Sequence, residues 1–258
     1  GVLNGITYII TDEPTLRQMI SNEEDVTTIC TTRITNMSEL FLETSFNQNI
    51  GSWDVSNVTD MSWIFGYANS FNQPIGSWDV SSVTNMSDMF NTAEEFNQPI
   101  ENWDLSNVTN MVRMFYRASE FDQAIGNWNV SNVTDMSSLF YENTSFNQPI
   151  GDWDVSNVTN MVQMFLRSNF NQPIGDWDVS SVTDMLNMFN AALLFNQPIG
   201  DWDVSSVNRM FRMFSYTGYF NQDLSSWNVN NVTDCSYFSA AAPQWTLPQP
   251  NFTNCDPD

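Results

Sequence analysis

The chain has 258 residues, a formal charge of −23 and no histidine. Its cations are all arginine (Arg17, Arg33, Arg113, Arg117, Arg167, Arg209 and Arg212), so lysine Schiff-base chemistry and histidine general-base or metal-ligand chemistry are excluded by composition. The charge opposes binding to nucleic acid, whose affinity rests on cationic contacts to phosphate, and no apolar run is long enough to span a bilayer.

No basic segment followed by an apolar run opens the sequence, so a signal peptide is expected to have been removed or to lie outside it. Ile6 to Thr11 reads as a strand. Glu13 to Asn22 reads as a helix, with Asp12 as N-cap, Pro14 near its start, and Leu16, Met19 and Ile20 turned inward. Cys30, in Thr-Ile-Cys-Thr, reads as a small unpaired core residue. Residues 1–45 are expected to form an N-terminal cap with the first partial repeat.

From Phe46 onward the chain repeats itself. The segment FNQPIGSWDV at Phe71 to Val80 recurs, and the phenylalanines fall at Phe46, Phe71, Phe96, Phe121, Phe146, Phe170, Phe195 and Phe220. The step is 25 residues except between Phe146 and Phe170, where one residue is lost in the turn at 166–169. Within one unit, Trp78 and Val80 alternate around Asp79 as in a short strand. Val83, Met86, Met89, Phe90, Ala93 and Phe96 follow at spacings that predict one face of a short helix, with Thr84 as N-cap. Stacked units should turn every sequence column into a ladder with a spacing of about 4.8 Å.

Columns then acquire roles. The Trp, Val, Met and Phe columns form the core, although an aromatic sugar platform is the alternative use for tryptophan. Asn47, Asn72, Asn97, Asn147, Asn171, Asn196 and Asn221, with Asp122 substituting once, read as a hydrogen-bonding amide ladder. Asp54, Asp79, Asp104, Asp154, Asp178 and Asp203 must face solvent as an acidic stripe, joined by Asp152, Asp176 and Asp201 and partnered by serines such as Ser81. That stripe is either a solvated face or a binding surface for calcium or a cationic partner. Variety is concentrated in the following turn, where Tyr67, Tyr116, Arg117, Tyr141 and Tyr216 suit an interface. The Asn-x-Ser/Thr sequons are also the repeat consensus.

The array covers residues 46–238, about eight repeats, and residues 239–258 form a C-terminal cap with Trp245, Leu247 and Phe252 as lids. Cys235 and Cys255 are expected to form a disulfide closing this tail, the alternative being two free buried thiols.

The units FNQPIGSWDVSSVTNMSDMF and FNQPIGDWDVSNVTNMVQMF resemble the BspA-like leucine-rich-repeat surface proteins. The opening GITYIITDEPTLRQMISNEEDVTTICTTRITNMSELF and the ending WTLPQPNFTNCDPD are similar to that family's lead-in and closure. The resemblance implies a secreted or surface-attached protein with adhesive roles. The fold expected is an α/β repeat solenoid: a right-handed leucine-rich-repeat-like coil with one short strand and one short helix per repeat. Its acids recur in register, and no nucleophile, base and orienting group assemble, which argues against an enzyme, a polysaccharide-acting one included. The function expected is binding to protein or polysaccharide at a cell surface, without cofactor. A structural stalk or assembly subunit is the alternative.

Overall fold

The computed structural model describes residues 2–3, 6–7 and 9–258. Strand β1 (Val2–Leu3) pairs antiparallel with β2 (Ile6–Thr7), and β3 (Ile9–Ile10) pairs parallel with β4 (Ile29–Cys30). The single strand expected over Ile6 to Thr11 is thus divided; its Tyr8 lies outside the described residues and Thr11 lies outside the strand. Helix α1 (Glu13–Ser21) follows its sequence signals. The Asp12 carboxylate caps it by accepting from the Thr15 N–H at 3.0 Å. Leu16 is buried, and Met19 and Ile20 are half-buried against the core. Cys30 is a half-buried free thiol rather than a core residue, because its neighbours Ile29 and Thr31 take the inward positions.

Successive repeats then lie side by side as a solenoid. Parallel bridges connect Asn36, Asp60, Asn85, Asn110, Asp135, Asn160, Asp184, Arg209 and Asp234, one residue per coil. The first stacked coil begins near Asn36, inside the 1–45 segment read from sequence as the cap with the first partial repeat.

The expected helix over Val83 to Phe96 is absent. Its residues form a run of turns, and among the described residues α1 is the one α-helix. Two features replace the i−4 hydrogen bonding of a helix. The N–H groups of Met86, Asp88, Phe90 and Thr92 donate across the coil boundary to the carbonyls of Asn110, Val112, Met114 and Tyr116, at 2.7–3.0 Å. Those of Met89, Asn91 and Ala93 close turns onto Met86, Asp88 and Phe90 at 3.0–3.3 Å. The Asn85 side chain accepts from the Ser87 N–H at 3.1 Å, the local bond that competes with helix formation. Closely spaced turns bring residues three and four apart to one side, so Met86, Met89, Phe90, Ala93 and Phe96 are buried as a helix would have buried them.

The strand expected at Trp78–Val80 is also absent: Trp78 points in, Asp79 out and Val80 in, without a ladder. Inter-coil backbone pairing begins instead at Thr84, whose N–H donates to the Thr59 carbonyl at 2.9 Å. Thr84 is not a helix cap. Its hydroxyl donates to the Thr59 carbonyl of the preceding coil at 3.2 Å, and Thr59, Thr109, Thr134, Thr159, Thr183 and Thr233 repeat this contact.

Inside, the aromatic columns stack. Phe65, Phe90 and Phe115 lie 5.6 Å apart between successive ring centroids, and Trp103, Trp128 and Trp153 6.4–6.5 Å apart. The indole N–H of Trp78 donates to the Ile50 carbonyl at 3.1 Å, and Trp103, Trp128, Trp153, Trp177, Trp202 and Trp227 repeat the bond, so a buried donor is satisfied in each coil. The amide column accepts as expected: Asn97 Oδ1 takes the Asp122 N–H at 3.1 Å and Gln123 Nε2 at 2.6 Å. Asp122 does the same for Asn147 and Gln148. Glycine is required where coils approach closely. A Cβ at Gly76 would lie 2.3 Å from the Pro99 carbonyl oxygen, and the coil that carries Glu101 in that column faces Ala124 instead of proline.

At the C-terminal end Trp245 covers the core and Phe252 packs half-buried against it. Leu247 is 44% exposed and is not a lid; its N–H is drawn to Asn221 Oδ1 at the surface. Cys235 and Cys255 are joined by a disulfide that ties the tail to the last coil.

Candidate functional site

Two faces are candidates. The first is the aspartate column. Asp54, Asp79, Asp104, Asp154, Asp178 and Asp203 are all exposed. Each folds back on its own turn, as when Asp79 Oδ1 accepts the N–H of Ser81 at 3.1 Å and its hydroxyl at 2.6 Å. These bonds hold the carboxyls of Asp79, Asp104, Asp154 and Asp203 below the usual aspartate range, the serine hydroxyl contributing most. Stacking sets these side chains one coil apart, except that Asn129 stands between Asp104 and Asp154. Among the described residues, no three His, Cys, Asp or Glu side chains converge where a metal ion could be held. The expectation of calcium at this column gains no geometry: its carboxylates turn toward serines of their own coil rather than toward one another.

The second face grows out of the turns. Each coil holds two non-glycine residues in the left-handed region, four apart, at φ between 50° and 59°. One column runs Glu39, Trp63, Asp88, Arg113, Ser138, Gln163, Asn187, Arg212 and Tyr237. The other runs Glu43, Tyr67, Thr92, Arg117, Glu142, Arg167, Ala191, Tyr216 and Ala241. Non-glycine residues pay about 1–2 kcal/mol for this conformation, and in every coil before the last the cross-coil hydrogen bonds of the same residues hold it in place. The repeat consensus lapses in these columns, and they carry four of the seven arginines.

Stacking gathers this variety into clusters. Tyr116 and Tyr141 stack at 4.4 Å, and the Arg117 guanidinium lies 5.5 Å from the Tyr116 ring centroid. Glu142 bridges two arginines: Arg117 Nε donates to it at 2.6 Å and Arg167 Nη1 at 2.7 Å. Partial burial pushes the Glu142 carboxyl up, but the bonds from Arg167 and Arg117 outweigh it and hold it below the usual range. Burial pushes the Tyr116 phenol up. One coil over, Arg113 grips Asp88 through Nε at 2.7 Å and Nη2 at 3.2 Å, with Asp88 only 2% exposed. Arg113 also lies over Trp63, whose ring stacks with Tyr67 at 6.0 Å.

Of the turn residues named from sequence, Tyr116, Arg117 and Tyr141 therefore meet in one cluster. Tyr67 belongs to the adjacent Trp63–Arg113 cluster. Tyr216 stands two coils beyond Arg167 in the same column, 58% exposed. Sequence reasoning missed Trp63, Asp88, Arg113, Glu142, Arg167 and Arg212. Their signal was present: each occupies a column where the 25-residue repeat stops repeating. The sequons are largely scaffold. Asn107, Asn132, Asn157 and Asn231 donate their side-chain N–H to the preceding coil, and Asn143 is fully buried.

Among the described residues no helix is long and apolar enough to cross a membrane. No curated protein matches the chain. Tandem matches at residues 14–119, 98–169 and 166–248, which take in nearly all of the stacked array, show that the chain belongs to the repeat family described as "Mycoplasma protein of unknown function, DUF285".

Proposed function

We propose that this chain is a non-catalytic binding or adhesion module, secreted or held at a cell surface, and that its Tyr/Arg turn face meets a protein or polysaccharide partner. One observation carries the reading: four arginines (Arg113, Arg117, Arg167 and Arg212) and Tyr67, Tyr216 and Tyr237 of an otherwise acidic, uniform array stand in the two columns where the repeat varies, with Tyr116 and Tyr141 stacked beside them. A scaffold needs only uniform coils, whereas a recognition surface needs local variety on a rigid support. Arg117 and Arg167 each spend one nitrogen on Glu142, which leaves further guanidinium donors for a planar acidic or hydroxyl-bearing partner. The likeness of the repeats to BspA-like leucine-rich-repeat surface proteins supports the same reading. The acidic column supports a solvated face better than an enzyme site, because serines stabilise its carboxylates in register instead of raising one as a general acid.

The test is a glycan and protein-partner screen on the purified chain, with and without calcium. Each hit is repeated on Arg117→Ala/Arg167→Ala and on Asp79→Asn/Asp104→Asn. Loss of binding in the arginine variant alone supports the turn face. Loss in the aspartate variant alone transfers the function to the acidic column. A stalk or assembly subunit is the second reading, favoured by the near-identity of the coils.

A further inference from the structure

The turn face changes character over its last three coils. Residues 185–194, 210–219 and 235–244 contain no acid, in a chain that has 30. The same runs of earlier coils carry Glu39, Asp88, Glu94, Glu120 and Glu142 among others. Apolar side chains stand in place of that charge. Leu193 and Leu194, 53% and 44% exposed, occupy the place that Glu94–Glu95 and Thr144–Ser145 hold in their own coils. Tyr219 is exposed beside them, and its N–H donates to the Leu193 carbonyl at 3.1 Å. Tyr216 is exposed and has alanine on both sides in its column, Ala191 and Ala241, so no large side chain of that column covers its ring. One cation stands in this patch. Five arginines of the chain hold a carboxylate, at 2.6–3.0 Å. Arg212 holds none among the described residues. Its guanidinium lies instead 5.0 Å from the Phe211 ring centroid and 5.1 Å from that of Tyr237 in the next coil. Arg212 and Tyr216 take the same position in successive turns, at φ 51° and 59°, so both project from one side. At the border of the patch, Arg209 stands between Asp184 and Asp234 in the bridging column and pairs with Asp184. The Arg212 fork is thus positioned by rings and left without a carboxylate.

We propose that this patch docks a short segment of a partner protein in which a carboxylate stands beside apolar side chains. The carboxylate takes the Arg212 fork, and the apolar side chains lie on Tyr216, Leu193 and Leu194. The proposal rests on the reading of the turn face as a binding surface; it names the part of that face and the chemistry of the partner. Charge complementarity selects the carboxylate, because the one cation of an acid-free surface has no counter-ion of its own. The exposed leucines select protein over polysaccharide, since they offer a sugar's hydroxyls neither donor nor acceptor. Size selects a segment over a second copy. Three coils stacked at about 4.8 Å give the patch about 10 Å along the axis, the length of about three residues of extended chain. A stable interface between copies needs about 800 Å² on each, which would carry it into the acid-bearing coils of a chain charged −23. Tyrosine and arginine are also the residue types in which binding energy concentrates.

NMR titration of the intact chain, followed at the Arg212 Nε–H and at the Leu193 and Leu194 methyl groups, reads the site. The probes are acetyl-Leu-Asp-Leu-amide, acetyl-Leu-Asn-Leu-amide and glucuronate. The aspartyl peptide should shift these signals saturably, and the asparaginyl peptide should bind about 3- to 10-fold more weakly. Arg212→Ala should abolish that preference. Leu193→Ser/Leu194→Ser should weaken both peptides alike, by about 3- to 10-fold, and keep the preference. Circular dichroism confirms that each variant is folded. Absence of a saturable shift, equal binding of the two peptides, or a preference that survives Arg212→Ala overturns the proposal. So does tighter binding of glucuronate than of either peptide, which would assign the patch to polysaccharide. Peptide binding lost in Arg117→Ala/Arg167→Ala but kept in Arg212→Ala would sink this proposal while leaving the turn face as the binding surface.

Discussion

Ala191 and Ala192 are neighbours with opposite expected responses to glycine. Ala191 sits at φ 55°, a conformation that costs a residue with a Cβ about 1–2 kcal/mol, whereas Ala192 is fully buried and outside the left-handed columns. Ala191→Gly removes that cost and adds back about 0.5–1 kcal/mol of unfolded-state entropy, for a net stabilisation of about 0.5–1 kcal/mol. Ala192→Gly loses a buried methyl group worth about 0.8 kcal/mol and incurs the same entropy, for a net destabilisation of about 1–2 kcal/mol. Urea unfolding followed by tryptophan fluorescence reads both, and the Tm should rise by about 2 °C in the first variant and fall by about 2–8 °C in the second. Were this segment helical, both substitutions would destabilise, each by about 1 kcal/mol or more. A destabilised Ala191→Gly would refute the left-handed turn architecture.

Arg113→Ala strands Asp88, which is 2% exposed, and should destabilise by about 2–3 kcal/mol in urea; Arg113→Ala/Asp88→Asn should recover a large part of the loss. In the amide ladder Asn97→Asp keeps the accepting oxygen, as Asp122 does naturally, and should cost under about 1 kcal/mol. Asn97→Leu leaves the Asp122 N–H and the Gln123 amide without their acceptor and should cost about 2–3 kcal/mol by the same measurement. The folded-state pKa of Glu142 is lowered, so the stability it contributes is present above the ordinary glutamate value of about 4.3 and is lost as pH falls through the lower folded value. Acid unfolding of Arg117→Ala/Arg167→Ala should lack that component. Carboxyl NMR titration should find Asp79 below the ordinary aspartate range and should move it upward in Ser81→Ala; an unchanged value would remove the serine bond as the cause.

The candidate face was half legible in the sequence. Tyr116, Arg117 and Tyr141 stood out as residue types that favour interfaces, but Glu142 and Arg167 did not. Nothing local in the sequence says that residues 25 apart share a carboxylate; that emerges only when coils are stacked in register. Asp88 escaped notice for a related reason. An acid in a turn reads as solvated, and the stacked Arg113, with the Asn91 amide at 2.7 Å, makes its burial tolerable.

Periodicity by itself determined which side chains form the core. The spacing of Val83, Met86, Met89, Phe90, Ala93 and Phe96, the inward Trp78 and outward Asp79, and the amide column all follow from the repeat, because periodicity records the direction in which side chains point. It does not record where the backbone hydrogen bonds go. A helix and a run of turns both bring residues three and four apart to one side, and choosing between them requires knowing what else the N–H groups can reach. The neighbouring coil supplies that partner at Asn110, Val112, Met114 and Tyr116. Tertiary stacking alone therefore decided the left-handed columns and the cross-coil hydrogen bonds that hold them.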